Sequence, residues 1–334
     1  MTQPTKRRPL PAPAGHAEPI VSTRTDPAGS WRAWPLADRL LLGACWAAGI
    51  ALVAIAASIV LYMGVKGLQY LRPDLLLSRP VSDLDQTKSG GFLDPLLGTL
   101  LIITGAILIA APLGIATAVW LTEYGKPSWL ARMVESGVEV IAGTPSIVLA
   151  LFGLAFFAQQ GLGFLSTTGE GGAVFGRSLL ICCTVLSLEA LPLIVGATRE
   201  GLLSTPRHVR EASYALGKTR AATIHRVLLP VARPNIATGC ALGMGRIAGD
   251  TAVVLLLGGG TLLVESNGSI PGLNVLQGTG STLTTYVYAN SPSGEGGAPQ
   301  KAYAAAFLLL ILVLFLNWVV DRIARGSEQL GWIR

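Results

Sequence analysis

Charge is what this sequence has least of. Of 334 residues only 13% are charged while 51% are hydrophobic, roughly half the ~25% charge of an ordinary soluble domain. So small a polar complement argues against a soluble enzyme. Histidine is scarce as well: His16, His208 and His225 all lie in polar segments. No imidazole falls inside an apolar run, which disfavours an intramembrane Ser-His hydrolase. Cys45, Cys182, Cys183 and Cys240 sit in apolar runs with no Cys-x-x-Cys spacing. Neither a metal site nor a disulfide framework is indicated, and packing is their simplest use. Nucleotide-binding motifs are missing too. Gly217-Lys218-Thr219 resembles the end of a phosphate-binding loop, but Ala212 stands where the loop's first glycine belongs. Gly243-Met244-Gly245-Arg246-Ile247-Ala248 matches a dinucleotide fingerprint in its Gly/Ala form, yet it lies within an apolar run rather than at a strand-to-helix turn. Gly239 with Gly243, and Gly245 with Gly249, are small-xxx-small spacings that suit close helix packing.

What is abundant is apolar sequence without charge. Residues 40–65 form a run of about 39 Å as a helix, too long for a signal-peptide core. Further runs cover residues 95–122, 140–164 and 178–198, the last interrupted by Glu189. A fifth, 235–264, carries Arg246 and Asp250, and the sixth is 302–320. The expected fold class is all-α: a polytopic membrane protein of six transmembrane helices. An even count puts both termini on one side. The N-terminal segment has Lys6, Arg7, Arg8, Arg24, Arg32 and Arg39, and the loop 199–233 has Arg199, Arg207, Arg210, Lys218, Arg220, Arg226 and Arg233. Both fall on the same side of a six-helix arrangement, so both termini are expected in the cytoplasm. Residues 1–38 read as a disordered, basic, proline-rich cytoplasmic tail, 39–91 as the first span with an external segment, and 92–322 as the transmembrane core. Residues 323–334 form a cytoplasmic C-terminus. The external stretch 265–301 is too long to be featureless if ordered, and a short helix is expected near residues 283–289.

The loop 199–233 is the most informative stretch. Its run from Arg210 to Pro230 reads as helix, turn, helix, with Gly217 ending the first helix in a left-handed conformation and Pro230 stopping the second. A compact helical hairpin is a natural docking element for a soluble partner; an amphipathic loop on lipid headgroups is the alternative. Glu211-Ala212-Ser213, three residues, Gly217, nine residues, then Val227-x-Leu229-Pro230 resembles the EAA motif of ABC importer permeases, the coupling helix that seats in a cleft of the ATPase subunit. Three flanking segments narrow the family: Gly98-Thr99-Leu100 through Pro112 to Glu123-Tyr124; Gly143-Thr144-Pro145-Ser146; and Gly245-Arg246-x-x-Gly249-Asp250-Thr251-Ala252. Over roughly residues 90–320 these resemble the phosphate permeases of the PstA and PstC kind, PstA more closely.

That resemblance implies a permease subunit of an ATP-driven importer of inorganic phosphate in the cytoplasmic (inner) membrane of a prokaryote. It implies ATPase coupling through Glu211, Ala212, Ser213, Gly217, Leu229 and Pro230. The implied partners are a related PstC-type permease subunit, two PstB-type ATPase subunits, an extracytoplasmic phosphate-binding protein and membrane lipid, with no nucleic acid. It also implies no catalysis, cofactor or metal on this chain, ATP and Mg being held by the ATPase.

Arg246 and Asp250 lie four apart, so on a continuous helix they share a face and neutralise one another. A charge at mid-membrane is costly and is expected to face a bundle interior or an aqueous cavity. A guanidinium there presents a planar fork that matches an oxyanion. The expected substrate path is Arg246, Asp250, Thr251, Glu189 and Arg199. Two departures stand out: Asp250 replaces the family's usual glutamate, and Gly196 falls where the family has arginine four residues after Pro192, so that Arg199, one turn on, is a candidate substitute. Glu189 adds a carboxylate where an apolar residue is usual. These changes keep open the same machine for sulfate, molybdate or tungstate, and a non-transporting sensor built on the same scaffold. An ion-coupled secondary transporter shows internal repeats and broken helices at matching positions, and no convincing repeat is found. A membrane enzyme is weaker still, since no nucleophile, base and orienting group gather in the apolar runs.

Overall fold

The computed structural model describes residues 35–71, 73–79, 90–125, 127–159, 162, 165, 166, 176–259, 274–292 and 298–326. Of the expected tail 1–38, residues 1–34 lie outside them and 36–38 already belong to a helix; the end of the chain after residue 326 lies outside them as well. Among the described residues every regular element is a helix, apart from one isolated bridge between Gly259 and Gly280. Four helices are long and apolar enough to cross a membrane: α1 (Leu36–Leu68), α3 (Leu93–Val119) with its continuation to Tyr124, α6 (Leu179–Leu203) and α13 (Pro299–Gly326). The short α2 (Pro73–Leu77) lies between α1 and α3. The chain divides into two compact units, residues 1–57 and 58–334. In the first, the described part of α1 exposes Leu41, Trp46, Ile50 and Leu52, an apolar surface suited to lipid. All that follows concerns the second.

Two of the six expected runs are broken rather than continuous. The run 140–164 is split between α4 (Ser128–Gly143) and α5 (Ser146–Phe157), which meet at 110°. Thr144 precedes Pro145 and takes an extended backbone, φ −81° and ψ 130°, because the proline ring clashes with a helical residue before it. The run 235–264 contains α9 (Leu229–Gly249) and α10 (Ala252–Leu257), separated where Asp250 is extended at φ −80° and ψ 112°. Its carboxylate Oδ1 accepts from the Val253 backbone N–H at 2.8 Å, so the side chain at the break satisfies a donor the interruption leaves free. The expected single fifth helix is corrected accordingly. Irregular backbone of this kind is tolerated at membrane depth only where protein or a cavity surrounds it.

α6 is the central helix. Its N-cap Ser178 accepts from Ile181 N–H at 3.1 Å, and its length is about 37 Å. Cys182, Cys183, Val185, Leu186, Ala190 and Ile194 are buried in an apolar cluster that α3, α5, α9 and α10 complete. All four cysteines are free, and Cys182 and Cys183 are packed in that core. After the short α11 (Asn274–Gln277), α12 (Leu283–Asn290) realises the short helix expected near residues 283–289. A reciprocal cap starts it: Thr285 Oγ1 accepts from Thr282 N–H at 2.9 Å, while Thr282 Oγ1 accepts from Thr285 N–H at 3.4 Å. Leu283 N–H donates to Thr99 Oγ1 at 2.9 Å, tying α12 to α3. Tyr286 packs edge-on against Phe92, and burial pushes its phenol up to about 12, so the ring packs as a neutral group.

α9 lies antiparallel to α6. The register is set by residues that let the backbones approach: a Cβ on Gly239 would meet Ala197 Cβ at 2.9 Å and Ile194 Cα at 3.1 Å, and one on Gly243 would meet Ala190 Cβ at 3.3 Å. This pair does what the small-xxx-small spacing predicts. Gly245 and Gly249 do not, because a Cβ on either meets nothing within 4 Å. Gly239→Leu is therefore expected to lower the thermal stability of the detergent-solubilised protein by about 1–3 kcal/mol of overpacking, with Gly245→Leu close to wild type. Equal losses for the two variants in a thermal-shift comparison would contradict the packing.

Candidate functional site

Two constellations carry the charges that the apolar core has to accommodate. The first is the helical hairpin of the loop 199–233. α7 (Arg207–Ala215) ends at Gly217, whose φ of +74° favours glycine. Gly217 N–H donates to Tyr214 C=O at 2.9 Å and Lys218 N–H to Ser213 C=O at 3.3 Å, the paired bonds of a Schellman ending. The chain re-enters helix at α8 (Arg220–Thr223), where Thr219 caps by accepting from Ala222 N–H at 3.3 Å. The helix-turn-helix expectation holds, with one correction: Pro230 does not stop the second helix. A π-helical turn over Ile224–Leu228 joins α8 to α9, and Pro230 lies in the first turn of α9. The widened turn accommodates a residue that has no N–H for a regular α-helical bond.

Of the expected coupling residues, Glu211, Ala212 and Gly217 are exposed, while Leu229 and Pro230 are half-buried. Ser213 is buried and its hydroxyl lies 2.9 Å from that of Thr223, closing the hairpin on itself. Tyr214 and Leu216 are exposed beside them, Leu216 at 79%, an apolar tip on an otherwise polar hairpin. Behind the tip sits an ion pair that sequence reasoning missed. Arg210 Nη1 donates to Glu123 Oε1 at 2.7 Å and Arg210 Nη2 to Leu202 C=O at 2.6 Å. Glu123 belongs to a second π-helical turn, Trp120–Tyr124, that ends the α3 span, and its side chain is only 7% exposed. One guanidinium thus joins α7, the end of α3 and the end of α6. The signal available beforehand was a carboxylate at the edge of a span facing a basic loop, but partners 87 residues apart leave no periodic trace.

The second constellation lies between the middle of α6 and the end of α9. Arg246 does not pair with Asp250 as expected. Its Nε lies 3.6 Å from Glu189 Oε2 on α6. The reason is the break after Gly249: Asp250 has left the helix, so the four-residue spacing no longer puts it on the arginine's face, and it is buried with Oδ1 on Val253 N–H. The Glu189 side chain is 2% exposed, the Arg246 side chain 49%. Both Glu189 oxygens are sealed from solvent, and the Asp250 carboxyl lies within hydrogen-bonding reach of the Glu189 carboxyl. Thr251 stands at the break. Arg199 is not part of this group; it hydrogen-bonds Glu135 of α4, about 15 Å further along α6. Both side chains of that pair are about two-fifths exposed, where ion pairs contribute little. Gly196 leaves open space, since a Cβ there meets nothing within 4 Å.

A bundle of apolar helices with a broken span, charges gathered at the break and an exposed helical hairpin at its base defines a membrane transport subunit. Residues 110–329 match the family of binding-protein-dependent transport system inner membrane components, and the chain belongs to it. It is 34% identical over 291 residues to the probable ABC transporter permease protein YqgH of Bacillus subtilis, covering 84% of this chain and 87% of that one. It is 35% identical over 234 residues to the phosphate transport system permease protein PstA 1 of Mycobacterium tuberculosis, 70% of each chain. To the PstC permease of Xylella fastidiosa it is 30% identical, over 80% of this chain and 81% of that one. A crystal structure of a bacterial alginate ABC transporter has the same fold at a TM-score of 0.59 and 18% identity, covering 86% of this chain and 95% of that one. The chain is thus a multi-pass inner-membrane protein of bacteria and an ABC importer permease subunit, in a family of transporter subunits rather than enzymes.

Removing the Arg210 side chain leaves the Glu123 carboxylate buried without its cation, which costs about 3–5 kcal/mol. Arg210→Ala and Glu123→Ala are each expected to lower ATP-driven uptake at least tenfold. The exchanged pair Arg210→Glu with Glu123→Arg is expected to recover part of it. Uptake by both single variants at the wild-type rate, with equal protein in the membrane, would show the pair to be dispensable.

Proposed function

We propose that this chain is a permease subunit for inorganic phosphate, paired with a related permease subunit in an importer whose ATP and Mg are held by two ATPase subunits. The observation that carries this is the Arg246 guanidinium: half-exposed at the broken α9–α10 junction beside the buried Glu189, it offers a planar fork of donors to an oxyanion. Relatives named as phosphate permeases support the choice of oxyanion. An extracytoplasmic binding protein delivers the substrate, and both termini lie in the cytoplasm.

On this reading the α7 hairpin, with Glu211, Ala212, Ser213 and Gly217, seats on an ATPase subunit. Tyr214 and the projecting Leu216 suit an apolar cleft in it. Closure of the ATPase pair on ATP moves the hairpin. The Arg210–Glu123 pair passes the displacement to α3, and the backbone contact at Leu202 passes it to α6. α6 carries Glu189 against Arg246, so access to the arginine alternates with the movement of the base. Asp250 and Thr251 stay at the junction and shape it.

A second reading, another oxyanion such as sulfate, molybdate or tungstate, is favoured by Glu189 and Gly196, which add a carboxylate and omit a guanidinium relative to the resembled family. Uptake of labelled phosphate in a phosphate-transport-deficient strain carrying the native partner genes separates the two. Saturable uptake is expected, reduced at least tenfold by Arg246→Gln and unaffected by sulfate or molybdate. Uptake that molybdate or sulfate displaces would transfer the assignment to that anion.

A further inference from the structure

The junction between α6 and the α9–α10 break brings two carboxyls to one guanidinium. Glu189 and Asp250 are both buried, and their carboxyls lie within hydrogen-bonding reach of one another. Asp250 Oδ1 accepts from Val253 N–H at 2.8 Å, which leaves its other oxygen to face Glu189. Among the described residues no N–H or hydroxyl donates to either Glu189 oxygen, and both are closed to water. Arg246, half-exposed, approaches with Nε 3.6 Å from Glu189 Oε2, longer than a hydrogen bond. The neighbouring elements have little charge to add. α5 and α10 carry no titratable residue, those of α3 and α13 lie towards the helix ends, and Glu135 of α4 is engaged by Arg199. On α6 itself, Cys182 lies within electrostatic reach of both carboxyls and is packed as a buried free thiol.

Two ionised carboxylates in such contact meet acceptor to acceptor and repel, whereas a proton between them turns the contact into a hydrogen bond. The same proton balances the charges, because a carboxylic acid beside a carboxylate carries one negative charge, which the guanidinium offsets. We infer that Glu189 and Asp250 form a proton-binding site, holding one proton between them where the α9–α10 break meets α6. Its hydrogen bond fastens the extended residue of the break to the helix whose far end receives Arg210 from the α7 hairpin. The proton also sets what Arg246 has to offer a ligand, a consequence that rests on the proposal that Arg246 takes an oxyanion. An anion draws the guanidinium away from the carboxyls, so the bound proton favours the anion and, by linkage, the anion favours the proton. Loss of the proton as pH rises leaves a second carboxylate facing the anion, which then binds more weakly.

The test uses the assembled permease–ATPase complex in nanodiscs. Infrared difference spectra between wild type and variant, taken at neutral pH, read the proton directly as the C=O stretch of a carboxylic acid. Glu189→Gln and Asp250→Asn each put an amide N–H where the proton stands, and the asparagine keeps an oxygen for Val253 N–H. Either variant therefore serves if the other fails to assemble. Both are expected to lose the acid band; a band unchanged in an assembled variant would overturn the inference. Labelling of Arg246 by an arylglyoxal, read by mass spectrometry against added phosphate, then tests the linkage. The titrations of phosphate and of the reagent are common to all forms, so wild type is compared with each variant at every pH. From neutral to alkaline pH, the phosphate concentration that half-protects Arg246 is expected to rise about tenfold more in wild type than in either variant. An equal rise in all forms would overturn the link between proton and anion. Loss of the acid band in the variants, with no protection of wild-type Arg246 at any pH, would leave the proton site standing and sink the oxyanion reading instead.

Discussion

The antiparallel approach of α9 to α6 is the constraint from which the rest of the structure follows. Gly239 and Gly243 bring the two backbones close enough that Ala197, Ile194 and Ala190 form the contact. The α9 side chains on either side of these glycines show one register over the length of the contact. Near one end, Gly201 lies against Asn235 and Ala232; near the other, Glu189 reaches Arg246. A shift by one residue would rotate α9 by about 100° and aim the guanidinium away from its carboxylate. In lipid there is no general hydrophobic drive between helices, so small-residue contacts of this kind supply much of the association. The same contacts decide where the charges fall.

α6 then serves two sites at once. Glu189 faces the broken junction near its middle, and the Leu202 carbonyl near its end receives Arg210 from the α7 hairpin. The stretch of α6 between them is largely buried and contains Pro192, which has no N–H for the helical ladder. The two π-helical turns, Trp120–Tyr124 and Ile224–Leu228, flank the hairpin on the α3 side and the α9 side. Such turns are frequent at functional sites because their hydrogen bonding is already off the regular ladder. Both lie where the hairpin joins the long helices.

Much of this was legible in the sequence, and the legible parts have a common character. Charge-free runs revealed the spans, Gly217 marked the end of α7, and the glycine spacing at Gly239 and Gly243 found the packing face. Each is a local signal, carried by residues within a few turns of one another. The errors came where one residue altered a periodic argument. Arg246 and Asp250 share a face only if the helix continues, and the extended backbone at Asp250 removes that premise. Pro230 stops a helix only if the turn before it is regular, and a π turn over Ile224–Leu228 is not. The pairs Glu123–Arg210 and Glu189–Arg246 join residues far apart in the chain, which periodicity does not reach.

The departures from the resembled family make chemical sense once the geometry is in place. Gly196 faces open space, so omitting a guanidinium there takes a charge from the surface of α6 without leaving a hole in its packing. Glu189, in contrast, is inside, where an added carboxylate is expensive unless something compensates it. Arg246 at 3.6 Å compensates the charge, and the Asp250 carboxyl lies within hydrogen-bonding reach of the same group. The added carboxylate thus sits where α6, α9 and the turn at Asp250 meet, and the half-exposed guanidinium of Arg246 is what holds it there.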